Sequence, residues 1–153
     1  MFAHIIKWWG EHFIKNENIA ILIFDLDNFK EYNDQYGHIN GDRVLKIQAQ
    51  LLKDSFSHSN DIISRYGGDE FVVITKNQDK NEIQAKADQI IENWQQKNIS
   101  IDLSDKKLKL SCSIGIYFAK PLNENATEKF FDMADKALYQ AKNKGKACAT
   151  IIE

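Results

Sequence analysis

Arg65-Tyr66-Gly67-Gly68-Asp69-Glu70-Phe71 sets two glycines directly before two carboxylates. Apolar residues flank the stretch, Ile62-Ile63 before it and Phe71-Val72-Val73-Ile74 after it. A Gly-Gly pair between two apolar runs predicts a β-hairpin turn. Asp69 and Glu70 then stand at the start of the second strand, beside backbone without side chains. A large charged ligand can lie against such backbone. Two carboxylates would repel a bare phosphate, so the chemistry points to a divalent cation between the carboxylates and the phosphate.

Asp25 is the second source of a carboxylate. Ile19-Ala20-Ile21-Leu22-Ile23-Phe24 has the pattern of a central strand buried on both faces, and it ends abruptly at Asp25. If this strand neighbours the hairpin, Asp25 and Asp69 converge. Two carboxylate oxygens with a backbone carbonyl, waters and phosphate oxygens suit Mg²⁺. The competing reading makes Asp25 and Asp27 caps of the next helix and Asp69-Glu70 a solvated hairpin tip. Asp27 fits the capping reading well. Asp25 fits it poorly, because a buried strand rarely ends in a carboxylate without a partner.

Lys30, Lys142 and Lys146 are candidates for holding phosphates, although the last two also satisfy the preference of helix C-termini for lysine. Asn33 and Asp42 lie near glycines and could each cap a helix; Asp42, before Arg43-Val44-Leu45, is a good N-cap candidate. His38, between Gly37 and Ile39, reads as a turn or packing residue.

The elements that must position these groups follow from periodicity. Phe2, Ile5, Ile6, Trp9 and Phe13 predict an amphipathic opening helix, with Trp8 off the stripe and expected to be exposed. Asp27 to His38 has a short helical look, and a helix after Gly41-Asp42 carries Leu45, Ala49, Leu52 and Phe56. Residues 62–66 and 71–75 form the hairpin. Ile83, Ala87, Ile90, Ile91 and Trp94 mark another helix. Alternation from Leu108 through Leu110, Cys112, Ile114 and Ile116 to Phe118 predicts a long half-buried strand, with Ile99-Ser100-Ile101 as its hairpin partner. Phe130, Ala134, Ala137, Leu138 and Ala141 form the last helix, which Gly145 stops. Residues 147–152 are a final strand. The order α-β-α-α-β-β-α-β-β-α-β predicts an α+β fold, an α/β sandwich with one sheet flanked by helices.

A length of 153 residues suits one domain with a full-sized core. A net charge of −2 gives no electrostatic grip on nucleic acid or an anionic membrane. No apolar run is long enough to span a bilayer, and Lys7 and Glu11 break any likeness to a signal peptide. Cys112 and Cys148 sit in apolar strand-like segments and read as buried reduced thiols, with a cytoplasmic location expected.

The ordered blocks Phe24-Asp25-Leu26-Asp27-Asn28-Phe29-Lys30-Glu31-Tyr32-Asn33-Asp34, Tyr36-Gly37-His38, Gly41-Asp42 and Arg65 to Phe71 resemble the GGDEF family of diguanylate cyclases. Ser113-Ile114-Gly115-Ile116 and Ala134 to Lys142 match later family blocks, so the resemblance runs from about Ile19 to the end. It implies a mostly antiparallel sheet like that of nucleotide cyclases and polymerase palm domains. It also implies a reaction, the Mg²⁺-dependent condensation (Mn²⁺ being the other candidate) of two GTP into cyclic di-GMP across a transient homodimer. By position, Asp25, Asp69 and the carbonyl of Leu26 hold the metal. Asp69 is the general base, with Glu70 as a second acidic group. Lys30 stabilises the reacting phosphate, Asn33 and Asp42 read the guanine edge, and Lys142 and Lys146 hold the outer phosphates against the Gly67-Gly68 turn.

Two departures stand out. The family usually opens with Asp-x-Leu-Thr-Gly-Leu-x-Asn-Arg, whereas this chain starts at Met1-Phe2; the expectation is a single catalytic domain over 1–153 without that segment or an upstream sensor domain. The family's product-inhibition motif Arg-x-x-Asp reads His58-Ser59-Asn60-Asp61 in this chain. The alternative functions are a GTP- or cyclic di-GMP-binding regulatory module with weak catalysis, and a cyclase of another nucleotide. The location expected is the cytoplasm, or the cytoplasmic part of a larger signalling protein.

Overall fold

The computed structural model describes residues 2–12, 16–96 and 110–153. Helix α1 spans Phe2–His12 and strand β1 spans Ile19–Asp27. Two helices follow, α2 over Phe29–Tyr36 and α3 over His38–Ser55. The hairpin consists of β2, Ile62–Arg65, and β3, Glu70–Lys76. Then come α4, Lys80–Gln95, β4, Ser111–Ala119, α5, Thr127–Asn143, and β5, Ala149–Ile152.

The strands form one five-stranded sheet in the order β2-β3-β1-β4-β5. Among the described residues the β4–β5 pair is parallel and the other neighbours run antiparallel. This is the expected α+β sandwich. Strand β1 lies in the middle, which explains its unbroken apolar run: both faces must be covered.

Alternation along β1 divides the core. Leu22, Phe24 and Leu26 face the layer that contains Val44 and Leu52 of α3 and Ile83 and Ile90 of α4. Ile19, Ile21 and Ile23 face α1 and α5, where Trp9 meets the Phe130 ring edge-on at 5.0 Å. Asp25 and Asp27 continue that second face, so the period of two aims both carboxylates at α5. Gly115 of β4 is the contact point for α5: a Cβ there would lie 2.2 Å from the carbonyl oxygen of Ala134 and the amide nitrogen of Leu138.

Several expectations need correction. Strand β1 does not stop at Asp25 but continues through Asp27, and Asp27 is 1% exposed rather than a helix cap. The cap position of α2 is Asn28, in the left-handed region at φ 62°, a conformation asparagine tolerates better than most residues. Asp42 is no N-cap either, because α3 already begins at His38, four residues earlier in the helix. Trp8 is buried at 7%, packed into the same cluster as Trp9. The expected strand at Ile99-Ser100-Ile101, the start at Leu108 and the stripe residue Phe13 lie outside the described residues. Gly145 does terminate α5: at φ 114° it closes a turn in which Gly145 N–H donates to the Lys142 carbonyl and Lys146 N–H to that of Ala141. Cys112 is buried, whereas Cys148 is only half-buried and precedes β5.

Candidate functional site

The antiparallel register of β1 and β3 pairs Asp25 with Glu70. One step further, Leu26 N–H reaches the Asp69 carbonyl at 3.4 Å. The end of the central strand therefore abuts the hairpin turn, and the convergence of Asp25 with Asp69 and Glu70 follows from register alone. The hairpin closes through Tyr66 N–H, which donates to the Glu70 carbonyl at 2.8 Å.

Neither Gly67 nor Gly68 adopts a positive φ. Their role is space rather than conformational freedom. A Cβ at Gly68 would meet nothing within 4 Å, so Gly68 presents open backbone, whereas one at Gly67 would lie 3.1 Å from Glu70 Oε2, so Gly67 leaves room for that carboxylate. Sequence reasoning passed over Arg65, whose guanidinium holds this turn: Nε donates to the Gly67 carbonyl at 3.1 Å and Nη2 to the Gly68 carbonyl at 2.6 Å. An arginine two residues before a Gly-Gly turn was the available signal.

Burial pushes the Asp69 carboxyl above its usual range, and the Asp25 charge adds to the rise. Glu70 is pushed up likewise, first by burial and then by Asp25, Asp69 and Asp135. Like charges crowded in a partly desolvated place resist ionising together. Such a cluster favours a cation.

One cation is already there. Lys142 Nζ, in the last turn of α5, lies 2.6 Å from Asp25 Oδ1 and 2.6 Å from Asp27 Oδ1. Burial alone would depress the ammonium, but hydrogen bonds to Asp25 and Asp27 outweigh it and raise its pKa. Asp27, which fits the capping reading in the sequence, belongs to the site instead. Burial works to raise its pKa, yet donors from Lys142, Ser111, Ser113 and the Ala147 backbone overcome this and hold the carboxyl below its usual range.

Asn33 and Asp42 belong to α2 and α3. The Asn33 carboxamide lies over Gly41: its Oδ1 sits 1.7 Å from where a Gly41 Cβ would be. Gly41 thus lets the two helices bring Asn33 beside Asp42. Asn33 Oδ1 is buried and, among the described residues, has no hydrogen-bond partner. A buried unsatisfied carbonyl is costly unless something else satisfies it. Lys146 Nζ donates to Asn28 Oδ1 at 3.2 Å. Lys30 is exposed in the first turn of α2. Asp25, Leu26, Asp69, Glu70 and Lys142 are therefore brought together, and a second group has Asn33 packed over Gly41, the residue before Asp42.

A family model described as "Diguanylate cyclase, GGDEF domain" matches residues 1–148. The chain belongs to the GGDEF family. Diguanylate cyclase A of Treponema denticola is 36% identical over 137 residues, which cover 90% of this chain and 36% of that protein. The chain thus spans about a third of that curated relative. The GGDEF domain of PA1120 (TpbB or YfiN) from Pseudomonas aeruginosa is 31% identical, with a TM-score of 0.77 over 99% of this chain and 85% of that one. The coiled coil and GGDEF domain of DgcB from Caulobacter crescentus superposes with a TM-score of 0.85 at 22% identity, over 99% of this chain and 78% of that one. This last likeness concerns the GGDEF fold alone. Among the described residues no helix is long and apolar enough to cross a membrane.

Proposed function

We propose that this GGDEF domain is a diguanylate cyclase that joins two GTP molecules into cyclic di-GMP. The observation that carries the reading is the β1–β3 register, which sets Asp25 against Glu70 and the Asp69 turn beneath open glycine backbone. In each of two equivalent steps a 3′-oxygen forms a bond to the α-phosphorus of the facing nucleotide. The bond from that phosphorus to the bridging oxygen breaks, and pyrophosphate leaves.

Asp69 accepts the 3′-hydroxyl proton, and Glu70 adds negative charge beside it. Asp25, Asp69 and the Leu26 carbonyl would hold Mg²⁺. Mg²⁺ is usually bound through one or two carboxylates plus substrate phosphates, and the crowding that raises the Asp69 and Glu70 carboxyls beside Asp25 suits a cation. When bound, the metal acidifies the hydroxyl and neutralises phosphate charge. Lys30 stabilises charge on the reacting phosphate. Lys142 and Lys146 take the outer phosphates. Gly67 and Gly68 let the nucleotide approach the backbone. Each subunit brings one GTP, so the active unit is a homodimer, and positioning supplies much of the rate.

Base choice follows from the second group. Guanine N1–H and its amino group are donors, which Asp42 accepts. The Asn33 carboxamide, whose Oδ1 is unsatisfied, completes the edge. A site built on such bonds rejects a base that leaves them unpaired. A concentrated sample with Mg²⁺ should turn GTP into cyclic di-GMP and pyrophosphate, at a rate per subunit that rises with protein concentration. ATP should bind at least about a hundredfold more weakly. Equal affinity for the two nucleotides by calorimetry would refute the base assignment. Guanine nucleotide binding without any product would leave a binding module instead.

The Asp61 position supports a statement about regulation. Its Oδ1 accepts from Thr75 Oγ1 at 2.5 Å and Gln78 Nε2 at 3.2 Å, and its Oδ2 accepts from His58 N–H at 3.1 Å. Thr75 and Gln78 are buried, so this carboxylate satisfies interior groups rather than facing a ligand. His58 lacks the planar fork with which arginine grips phosphate. Asp61→Ala should lower stability by about 1–3 kcal/mol in urea denaturation and leave cyclic di-GMP affinity unchanged. Tight cyclic di-GMP binding that disappears in this variant would contradict the reading.

A further inference from the structure

Asp27 is the best-anchored polar side chain near the site. Its Oδ1 accepts from Lys142 Nζ at 2.6 Å and Ser113 Oγ at 2.8 Å. Its Oδ2 accepts from Ser111 Oγ at 2.6 Å, Ser113 Oγ at 3.0 Å and Ala147 N–H at 3.0 Å. The donors come from β4, from the last turn of α5 and from the turn that enters β5. The carboxylate side chain is 0% exposed, whereas those of Asp25 and Lys142 are 21% and 26% exposed. Of the two carboxylates on Lys142, Asp27 is the fixed one.

The turn that Asp27 holds is itself unusual. Lys146 and Ala147 both lie in the left-handed region, at φ 66° and 47°. Neither residue favours that region, so something must hold the conformation. The Ala147 N–H bond to Asp27 does so, and the same turn carries Lys146.

We propose that Asp27 is a positioning residue for nucleotide binding: its buried carboxylate fixes where the Lys142 ammonium stands and, through Ala147 N–H, fixes the strained turn that presents Lys146. One carboxylate on the central strand then sets both cations that meet the outer phosphates, while the more exposed Asp25 shares the Lys142 ammonium through its Oδ1. The inference rests on the reading of Lys142 and Lys146 as phosphate-holding groups. It gives Asp27 no contact with substrate.

The test separates positioning from mere structural support. The full chain is titrated by calorimetry, in Mg²⁺, with two probes: guanosine 5′-(α,β-methylene)triphosphate and GMP. GMP has no outer phosphates, so damage confined to the two lysines leaves its affinity alone. Asp27→Asn keeps the shape and loses the charge. It should weaken the triphosphate analogue about tenfold or more and shift GMP less than about twofold. Lys142→Met added to Asp27→Asn should then cost little more, because coupled residues are not additive.

Equal losses for both probes would reduce Asp27 to structural support, and unchanged affinity for the triphosphate analogue would overturn the proposal outright. If Asp27→Asn does not fold, Ser113→Ala serves: it keeps every charge and removes the donor that touches both Asp27 oxygens. It should weaken the triphosphate analogue about threefold with GMP unchanged, and wild-type affinity for the analogue would overturn the proposal. An unaltered chain that binds neither probe would refute the guanine-nucleotide reading itself, and this inference with it.

Discussion

Asp69→Asn should cut turnover by about a thousandfold or more and, in the same protein without metal, raise the melting temperature at neutral pH. The first effect follows from the role proposed for Asp69. Positioned proton transfer contributes about 10²–10⁴ to rate, and the same carboxylate is proposed to help hold the metal. The second effect follows from the electrostatics of the site. Burial and then the Asp25 charge raise the Asp69 carboxyl above its usual 3.8. The folded state therefore binds this proton more tightly than the unfolded chain does, so the ionised group opposes folding above its folded pKa. Asparagine removes that opposition. The stabilisation should be largest at pH 7 and shrink as the pH falls through the raised pKa toward 3.8. An assay of pyrophosphate release and thermal melts at several pH values read both effects. Near wild-type turnover would remove Asp69 from the chemistry, and a lower melting point at neutral pH would refute the electrostatic account.

Gly115→Ala should destabilise the fold by about 3 kcal/mol or more, the upper end of the overpacking range. The new Cβ would sit 2.2 Å from the Ala134 carbonyl oxygen, 2.2 Å from Leu138 N and 2.6 Å from its Cα. All three are backbone atoms, so no side chain can swing away. Helix α5 would have to back off the sheet and loosen the buried contacts of Phe130, Ala134 and Leu138. For a domain of this length the loss corresponds to a drop of about 10 °C in melting temperature. Lys142 lies farther along the same helix, so the folded fraction should also bind nucleotide more weakly. A urea midpoint equal to that of the unaltered chain would show that α5 approaches β4 less closely than described.

The residues that announced themselves in the sequence were those whose signal is local. The Ile19–Phe24 run made β1 legible, the glycine pair made the hairpin legible, and Gly145 marked the end of α5. Asp25, Asp69 and Glu70 followed, because each abuts one of those features. Asp27 was misread because its role is assembled from afar. Its partners Ser111, Ser113, Lys142 and Ala147 all lie more than 80 positions away in the chain. Nothing in a short window distinguishes such an aspartate from a helix cap. Trp8 was misjudged for a related reason. A helical stripe says which residues face one neighbour, and α1 buries Trp8 and Trp9 together beside α5. Asp42 looked like a cap because glycine usually interrupts a helix, whereas Gly41 lies inside α3 to admit the Asn33 carboxamide.

The pairing of β1 also divides the site mechanically. Its residues are bonded to β4 over the whole of Ile19–Asp27 and to β3 as far as Asp25. Freeing Asp25 or Asp27 therefore means tearing the middle out of the sheet, an opening as rare as complete unfolding. The opposite wall is a short hairpin tip, held by two bonds to the Glu70 carbonyl, by the Leu26 N–H bond to the Asp69 carbonyl and by the exposed Arg65 fork. Its amides can exchange with solvent through small local openings. The two walls of the site should therefore differ in amide hydrogen exchange, slow at Asp25 and Asp27 and faster at the glycine turn.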